Sequence, residues 1–323
     1  MQMENTSQSL WDYLKPTLVI GALAAAIFLF GSNIWSGGLS YEKRMLFRHI
    51  IQESNRIEQH TLTHRKNLRL VTYNLWCDFL KPHTILSLEE RIECLAEGIN
   101  DFDIVLIQEA YVLNAGVAVI TKCATLMVAA MTKRGFRYRT SIADFTAPYV
   151  GQSGGIVIFS RIPLVNTTSR SYLNYSILQV TDYRGFVVGE FSVNSQRLYV
   201  VNTHLDPHGV NARLSQAREL AAALQEFNSD SHFIVAGDFN IDNHHPTTSE
   251  KSDEYQQLLK IMRQVGLQSV FPERMETNQD GGNYDAIFIS SKVSVVRKEI
   301  IKLETRKNES VSDHFGLTIE LEL

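Results

Sequence analysis

The string Gly237-Asp238-Phe239-Asn240 ends an apolar run, Phe233 to Ala236, with an acid, one intervening residue and an amide. On a strand end with period-two alternation, Asp238 and Asn240 point to the same side, roughly 6–7 Å apart. The carboxylate can then orient a water while the amide donates to a phosphoryl oxygen. Asp and Asn also make ordinary polar turns, so the string gains weight only from company elsewhere. Val71-Thr72-Tyr73-Asn74 and Ile104-Val105-Leu106-Ile107-Gln108-Glu109 end two further apolar runs with an amide and a carboxylate. Glu109 is the better ligand for Mg²⁺, a hard cation that takes oxygen donors and needs only one or two carboxylates. Asn74 could share such an ion through its carbonyl oxygen. Val200-Val201-Asn202-Thr203-His204 places a histidine at a similar strand end, and Ser312-Asp313-His314 places another just before the last apolar run. An imidazole titrating near neutrality suits proton transfer when a carboxylate orients it. Asp285, in Asn283-Tyr284-Asp285, is such a partner for His314.

Positioning these groups requires many short strands. Runs rich in β-branched and aromatic residues predict strands at Leu68–Tyr73, Ile104–Ile107, Gly155–Phe159, Gly185–Phe191, Leu198–Asn202, Phe233–Ala236, Ala286–Ile289, Val293–Val296 and Leu317–Leu321. Helical spacing predicts helices over Leu88–Asn100, Ala115–Arg134, Asn211–Glu226 and Asp253–Val265, with Gly135 and Gly266 as stops. Several strands in succession between few helices favour an α/β sandwich of mixed sheets over a doubly wound parallel sheet.

The 323 residues are 44% hydrophobic and 20% charged, ordinary for a globular chain with a sizeable core. The formal net charge of −4 provides no overall basic field, so no nucleic-acid partner is expected. Cys77, Cys94 and Cys123 have no CxxC spacing and read as small buried apolar residues. Residues 16–41 contain no charged side chain, and Thr17 to Trp35 is long enough as a helix to span on the order of 28 Å. Trp11, Tyr13, Trp35 and Tyr41 bracket it as interfacial aromatics would. The division is an N-terminal tail (1–15), a transmembrane or signal-anchor helix (16–41), a stalk (42–65) and a catalytic domain (66–323). A cleaved signal and a buried helix are the competing readings of 16–41. Lys43, Arg44, Arg48 and Arg56 follow the run and only Lys15 precedes it, which favours a cytoplasmic catalytic domain on a single-pass membrane anchor.

Tyr73-Asn74, Gln108-Glu109, Thr203-His204-Leu205, Gly237-Asp238-Phe239-Asn240 and Ser312-Asp313-His314, in this order, resemble the motif set of the endonuclease/exonuclease/phosphatase superfamily, the DNase I-like fold. The resemblance covers about residues 66–323. It implies a four-layer αββα sandwich with its site at one edge of two packed sheets. It also implies phosphoester cleavage that depends on Mg²⁺, with Mn²⁺ as a substitute. On the family pattern Glu109 binds the metal with help from Asn74, and Asp313 lies nearby. Asp238 and Asn240 position the nucleophile and the phosphate. His314, supported by Asp285, is the acid/base group, and His204 donates to a phosphoryl oxygen.

Tyr73-Asn74-Leu75-Trp76, the histidine at 204, and Gly151-Gln152-Ser153-Gly154-Gly155 running on to Pro163-Leu164 are similar to neutral sphingomyelinases. Asp182-Tyr183-Arg184-Gly185 resembles a region where those enzymes carry a lysine before glycine. Here Arg184 holds the basic position, and an equivalent regulatory switch is not carried over. The expectation is a Mg²⁺-dependent phosphodiesterase that converts sphingomyelin to ceramide and phosphocholine at a phospholipid bilayer. Phe145, Tyr149, Tyr172 and Tyr175 are its candidate apolar contacts. The alternatives are a DNase I-like nuclease with the same site and a catalytically silent, membrane-tethered binding module. The sequence leaves the oligomeric state open.

Overall fold

The computed structural model describes residues 67–77, 87–115, 119–142, 150–176, 183–227, 231–243, 252–273 and 275–322. Segments 1–15, 16–41 and 42–65, together with Phe145 and Tyr149, lie outside the described residues. The expected membrane localisation is corrected: no helix among the described residues is long and apolar enough to cross a membrane.

Two six-stranded mixed sheets stack face to face. In chain order the strands are β1 (Leu68–Asn74), β2 (Ile104–Gln108), β3 (Leu113–Ala115), β4 (Val119–Ile120), β5 (Tyr138–Arg139), β6 (Val150–Gln152), β7 (Val157–Ser160), β8 (Leu164–Ser171), β9 (Gly185–Val193), β10 (Gln196–His204), β11 (His232–Asp238), β12 (Leu267–Ser269), β13 (Asp285–Ser290), β14 (Ser294–Ile301) and β15 (Gly316–Glu322). One sheet runs β14-β15-β1-β2-β7-β5 and the other β12-β13-β11-β10-β9-β8, while β4-β3-β6 makes a small third sheet. Helices α1 (Leu88–Gly98) and α2 (Lys122–Lys133) cover the first sheet. Helices α3 (Val210–Leu224) and α4 (Asp253–Gln264) cover the second.

Alternation along the strands builds these layers. Leu68, Leu70, Ile104, Leu106, Leu198, Val200, Ile234 and Ala236 face inward and form the core between the sheets. Val71, Tyr73, Val105 and Ile107 face α1 and α2, and Tyr199, Val201, Phe233 and Val235 face α3 and α4. At the last inward positions the pattern turns polar. Gln108 Nε2 donates to Thr72 Oγ1 at 3.0 Å and to Asn202 Oδ1 at 2.7 Å. Asn202 Nδ2 donates to the carbonyls of Ile107 and Val157 at 2.8 and 3.0 Å. This buried network bridges the sheets directly beneath the edge where the strand-end residues emerge, and within it Gln108 Oε1 is buried without a hydrogen-bond partner.

All nine expected strands are present. The expected helix from Ala115 starts only at Lys122, because Leu113 and Asn114 pair with Ile120 and Val119, and residues 113–115 also pair with Val150–Gln152. β-Branched Val119, Ile120 and Thr121 suit a strand and its exit better than a helix. Ser87 and Ser252 cap α1 and α4 through their hydroxyls. Gly135 (φ +86°) and Gly266 (φ +76°) take the expected stop positions. The cysteine expectation is corrected for two of the three. Cys77 and Cys123 form a disulfide with Cα atoms 6.7 Å apart, because the fold lays the exit of β1 beside the start of α2. Cys94 is free.

Candidate active site

Strand direction brings the candidate residues to one edge. β1 runs parallel to β2 and antiparallel to β15, and β10 runs parallel to β11, which is antiparallel to β13. The ends of β1, β2, β10 and β11 therefore lie with the starts of β13 and β15. The registers are close: Asn74 opposes Gln108, His204 opposes Asp238, and Asp238 opposes Asp285. Gly237 permits this approach. It has φ +143°, and a Cβ there would fall 2.0 Å from the Thr203 carbonyl oxygen. Gly155 does the same beside Glu109, where a Cβ would lie 3.0 Å from Glu109 Cα. Glu109 itself takes φ +62°, a left-handed conformation rare outside glycine and common at functional sites.

Asn74 joins the two sheets' acids. Its Nδ2 donates to Asp238 Oδ2 at 2.9 Å and to Glu109 Oε1 at 3.2 Å, while its Oδ1 accepts from Trp76 N at 2.9 Å. In this orientation Asn74 acts as a bridge between carboxylates, and its carbonyl oxygen, the expected ion ligand, serves the backbone. His314 Nδ1 hydrogen-bonds Asp285 Oδ2 at 2.8 Å, and its Nε2 lies 3.8 Å from Asp238 Oδ2. The expected acid–histidine pair is therefore present. Asp313 is adjacent, and Ser312 Oγ donates to its Oδ1 at 3.3 Å. Asn240 departs from the strand argument. β11 ends at Asp238, and Asn240 has φ +51°. Its N–H donates to Asp238 Oδ1 at 2.8 Å and its Nδ2 to the Leu205 carbonyl at 3.1 Å. It pins the turn below Asp238 by this short local hydrogen bond, so the two do not line one face as alternating strand residues.

Burial dominates the electrostatics. It pushes Glu109 up to about 7, against the pull of the Arg184 and His314 charges. It also pushes Asp238 up to about 6, against His314 and with Asp285 adding repulsion. Asp313 is raised by burial too, partly offset by His314. For His314 burial opposes the charged form, but Asp285 and Asp238 outweigh it and hold its pKa well above the usual imidazole value. His204 goes the other way: burial, then the Arg184 and His314 charges, keep it neutral.

Two buried arginines join the site. Arg184 Nη1 lies against both ring nitrogens of His204, 2.7 Å from Nε2, and its Cζ sits 5.8 Å from the Tyr111 ring centroid. The hairpin register shows why: Gly185 opposes His204 across β9 and β10. Arg91 donates from Nε to the Val311 carbonyl at 2.8 Å and from Nη2 to those of Leu75 and Trp76 at 2.6 and 3.1 Å. It thus clamps the loop after Asn74 to the loop before Asp313. Sequence reasoning missed Arg91, because an arginine in an amphipathic helix carries no outward sign of such a role.

The donor set suits a hard divalent cation. Asp238, Asp285 and His314 bring two carboxylate oxygens and a ring nitrogen within 4.8 Å of one another, a grouping different from Glu109, Asn74 and Asp313, the set that the sequence resemblance assigns to the ion. Asp285 Oδ1 is buried without a hydrogen-bond partner, and burial raises the Glu109 and Asp238 carboxyls toward their neutral forms, so a cation bound there would favour their ionised forms.

A family model described as Endonuclease/Exonuclease/phosphatase family matches residues 71–314. No curated protein sequence matches the chain. Among solved structures, a mutant of beta toxin from Staphylococcus aureus with bound magnesium ions is 16% identical, covering 78% of this chain and 99% of that one, with a TM-score of 0.61. Sphingomyelinase C from Streptomyces griseocarneus is 18% identical over 79% and 99% of the two chains, with a TM-score of 0.59. An endonuclease/exonuclease/phosphatase family protein from Bacteroides thetaiotaomicron is 18% identical over 79% and 97%, with a TM-score of 0.60. At these identities the likeness is one of fold.

Proposed function

Because the chain belongs to the endonuclease/exonuclease/phosphatase family of divalent-metal-dependent hydrolases, we propose that it is a phosphodiesterase acting on a phospholipid, with sphingomyelin as substrate and ceramide and phosphocholine as products. The observation that carries the reading is the meeting of Asn74, Glu109, His204, Asp238, Asp285 and His314 at one sheet edge, with His314 oriented by an acid. The choice of lipid draws on the sphingomyelinase-like strings in the sequence and on the fold shared with sphingomyelinase C. Glu109, helped by Asp313 at the same edge, would hold the metal, and Mg²⁺ is the ion found with the beta toxin variant. When bound, such an ion supplies charge neutralisation at the phosphate.

The chain's own residues do the rest. Asp238, held by the Asn74 and Asn240 N–H groups, orients the attacking water. His314 moves a proton at Nε2, with Asp285 fixing the ring through Nδ1. His204, neutral and braced by Arg184, offers one ring N–H to a phosphoryl oxygen, and Arg184 adds the positive charge that a developing oxyanion needs. The deciding experiment measures choline-phosphate release from sphingomyelin vesicles, with and without Mg²⁺, beside plasmid nicking. Metal-dependent release without nicking is expected. Nicking without lipid turnover overturns the substrate assignment in favour of the nuclease, and no turnover of either overturns it in favour of a silent binding module.

A further inference from the structure

The loop entering β13 carries groups that the phosphate chemistry does not use. Tyr284 is half-buried, and its ring centroid lies 6.4 Å from that of His314. Its hydroxyl donates to Asp280 Oδ2 at 2.8 Å, and Asp280 Oδ1 accepts from Gly282 N at 2.8 Å. Acid and ring are thereby fixed in one turn. Gly282 lies against the ring so closely that a Cβ there would sit 2.3 Å from Tyr284 Cζ. Asp242 accepts from Asn283 N at 3.3 Å. The stretch from Asn278 to Asp285 has no Lys or Arg.

An aromatic ring rimmed by carboxylates suits a cation, and the charge held on nearby His314 is met by Asp285 through the Nδ1 hydrogen bond. Each Asp280 oxygen accepts one hydrogen bond within the turn, which fixes the carboxylate beside the ring. A trimethylammonium group needs no directional acceptor and draws on negative charge and a π face alone, which this turn supplies. We propose that Tyr284, Asp280 and Asp242 form a subsite for a quaternary ammonium headgroup next to the phosphate site. The inference rests on the choline-phosphate ester reading of the substrate and adds the place where its cationic end lies.

The test is calorimetric titration of the full chain in Mg²⁺ with phosphocholine and, separately, with inorganic phosphate. The parent binds phosphocholine more tightly. Tyr284→Leu reduces that preference about 5- to 30-fold, whereas Tyr284→Phe, which keeps the ring, holds it within about twofold. Asp280→Lys, a change at an exposed position, also lowers the preference and serves if the Leu variant does not fold. Equal losses for both anions, or a parent that binds phosphocholine no better than phosphate, overturn the subsite. The two readings part cleanly. A protein that leaves sphingomyelin intact yet prefers phosphocholine through Tyr284 loses its lipid substrate and keeps the subsite. One that cleaves sphingomyelin with an unaltered preference in Tyr284→Leu keeps the substrate and loses the subsite.

Discussion

Replacing Glu109 by Gln tests whether a carboxylate is held at this edge against its own desolvation. Burial lifts the Glu109 pKa from 4.5 to about 7, more than the Arg184 and His314 charges lower it. At about 1.4 kcal/mol per unit, the ionised side chain costs the fold roughly 3 kcal/mol at pH 8. The sign follows from the folded pKa being the higher one. The stabilisation of the protonated form is fully present below about pH 4.5 and is lost as pH rises through about 7. Gln has nearly the same shape, keeps an acceptor for Asn74 Nδ2 and carries no charge. In EDTA at about pH 8 the variant is therefore more stable than the parent, by up to ~3 kcal/mol, and the difference vanishes near pH 4. Urea unfolding at the two pH values measures it. In Mg²⁺ the parent gains stability from the bound ion and the variant gains less. A variant less stable than the parent in EDTA at pH 8, or a difference independent of pH, refutes the reasoning.

His314→Ala lowers turnover by about 10²- to 10⁴-fold, as loss of a general acid or base does, while calorimetry shows Mg²⁺ still binding. Loss of the metal instead would make His314 a ligand. Arg184→Gln reduces kcat/KM about 10- to 100-fold through loss of a charge-assisted contact. Arg184→Lys recovers part of it, and equal activity in all three proteins contradicts the role given to the guanidinium. Gly237→Ala destabilises by more than about 2 kcal/mol, because neither its backbone conformation nor the Thr203 carbonyl leaves room for a methyl group. An unchanged urea midpoint counts against that close approach.

The core strands could be read from the sequence because both faces of each sheet are covered, which leaves near-continuous apolar runs with sharp polar ends at Asn74, Glu109, His204 and Asp238. The same polar ends made the site visible. What resisted reading depends on tertiary approach. Leu113 to Ile120 carries too few residues to show a strand period, and its pairing partner at Val150–Gln152 is distant in sequence. The Cys77–Cys123 pair has a separation of 46 residues and no local signal. Asn240 departs from the expected alternation because alternation holds only while the strand lasts, and β11 stops at Asp238. Arg184 stands out in sequence only by its neighbours, and its contact with His204 follows from the hairpin register, which single residues do not show.

The first described strand, β1, is hydrogen-bonded to the last, β15, which sits between β14 and β1 in the interior of its sheet. A chain synthesised only as far as β13 carries Asn74, Glu109 and Asp238, yet β1 still lacks its antiparallel neighbour and His314 is unmade. The candidate site is therefore completed only when β15 closes a contact across most of the described residues, a non-local pairing of the kind that forms slowly.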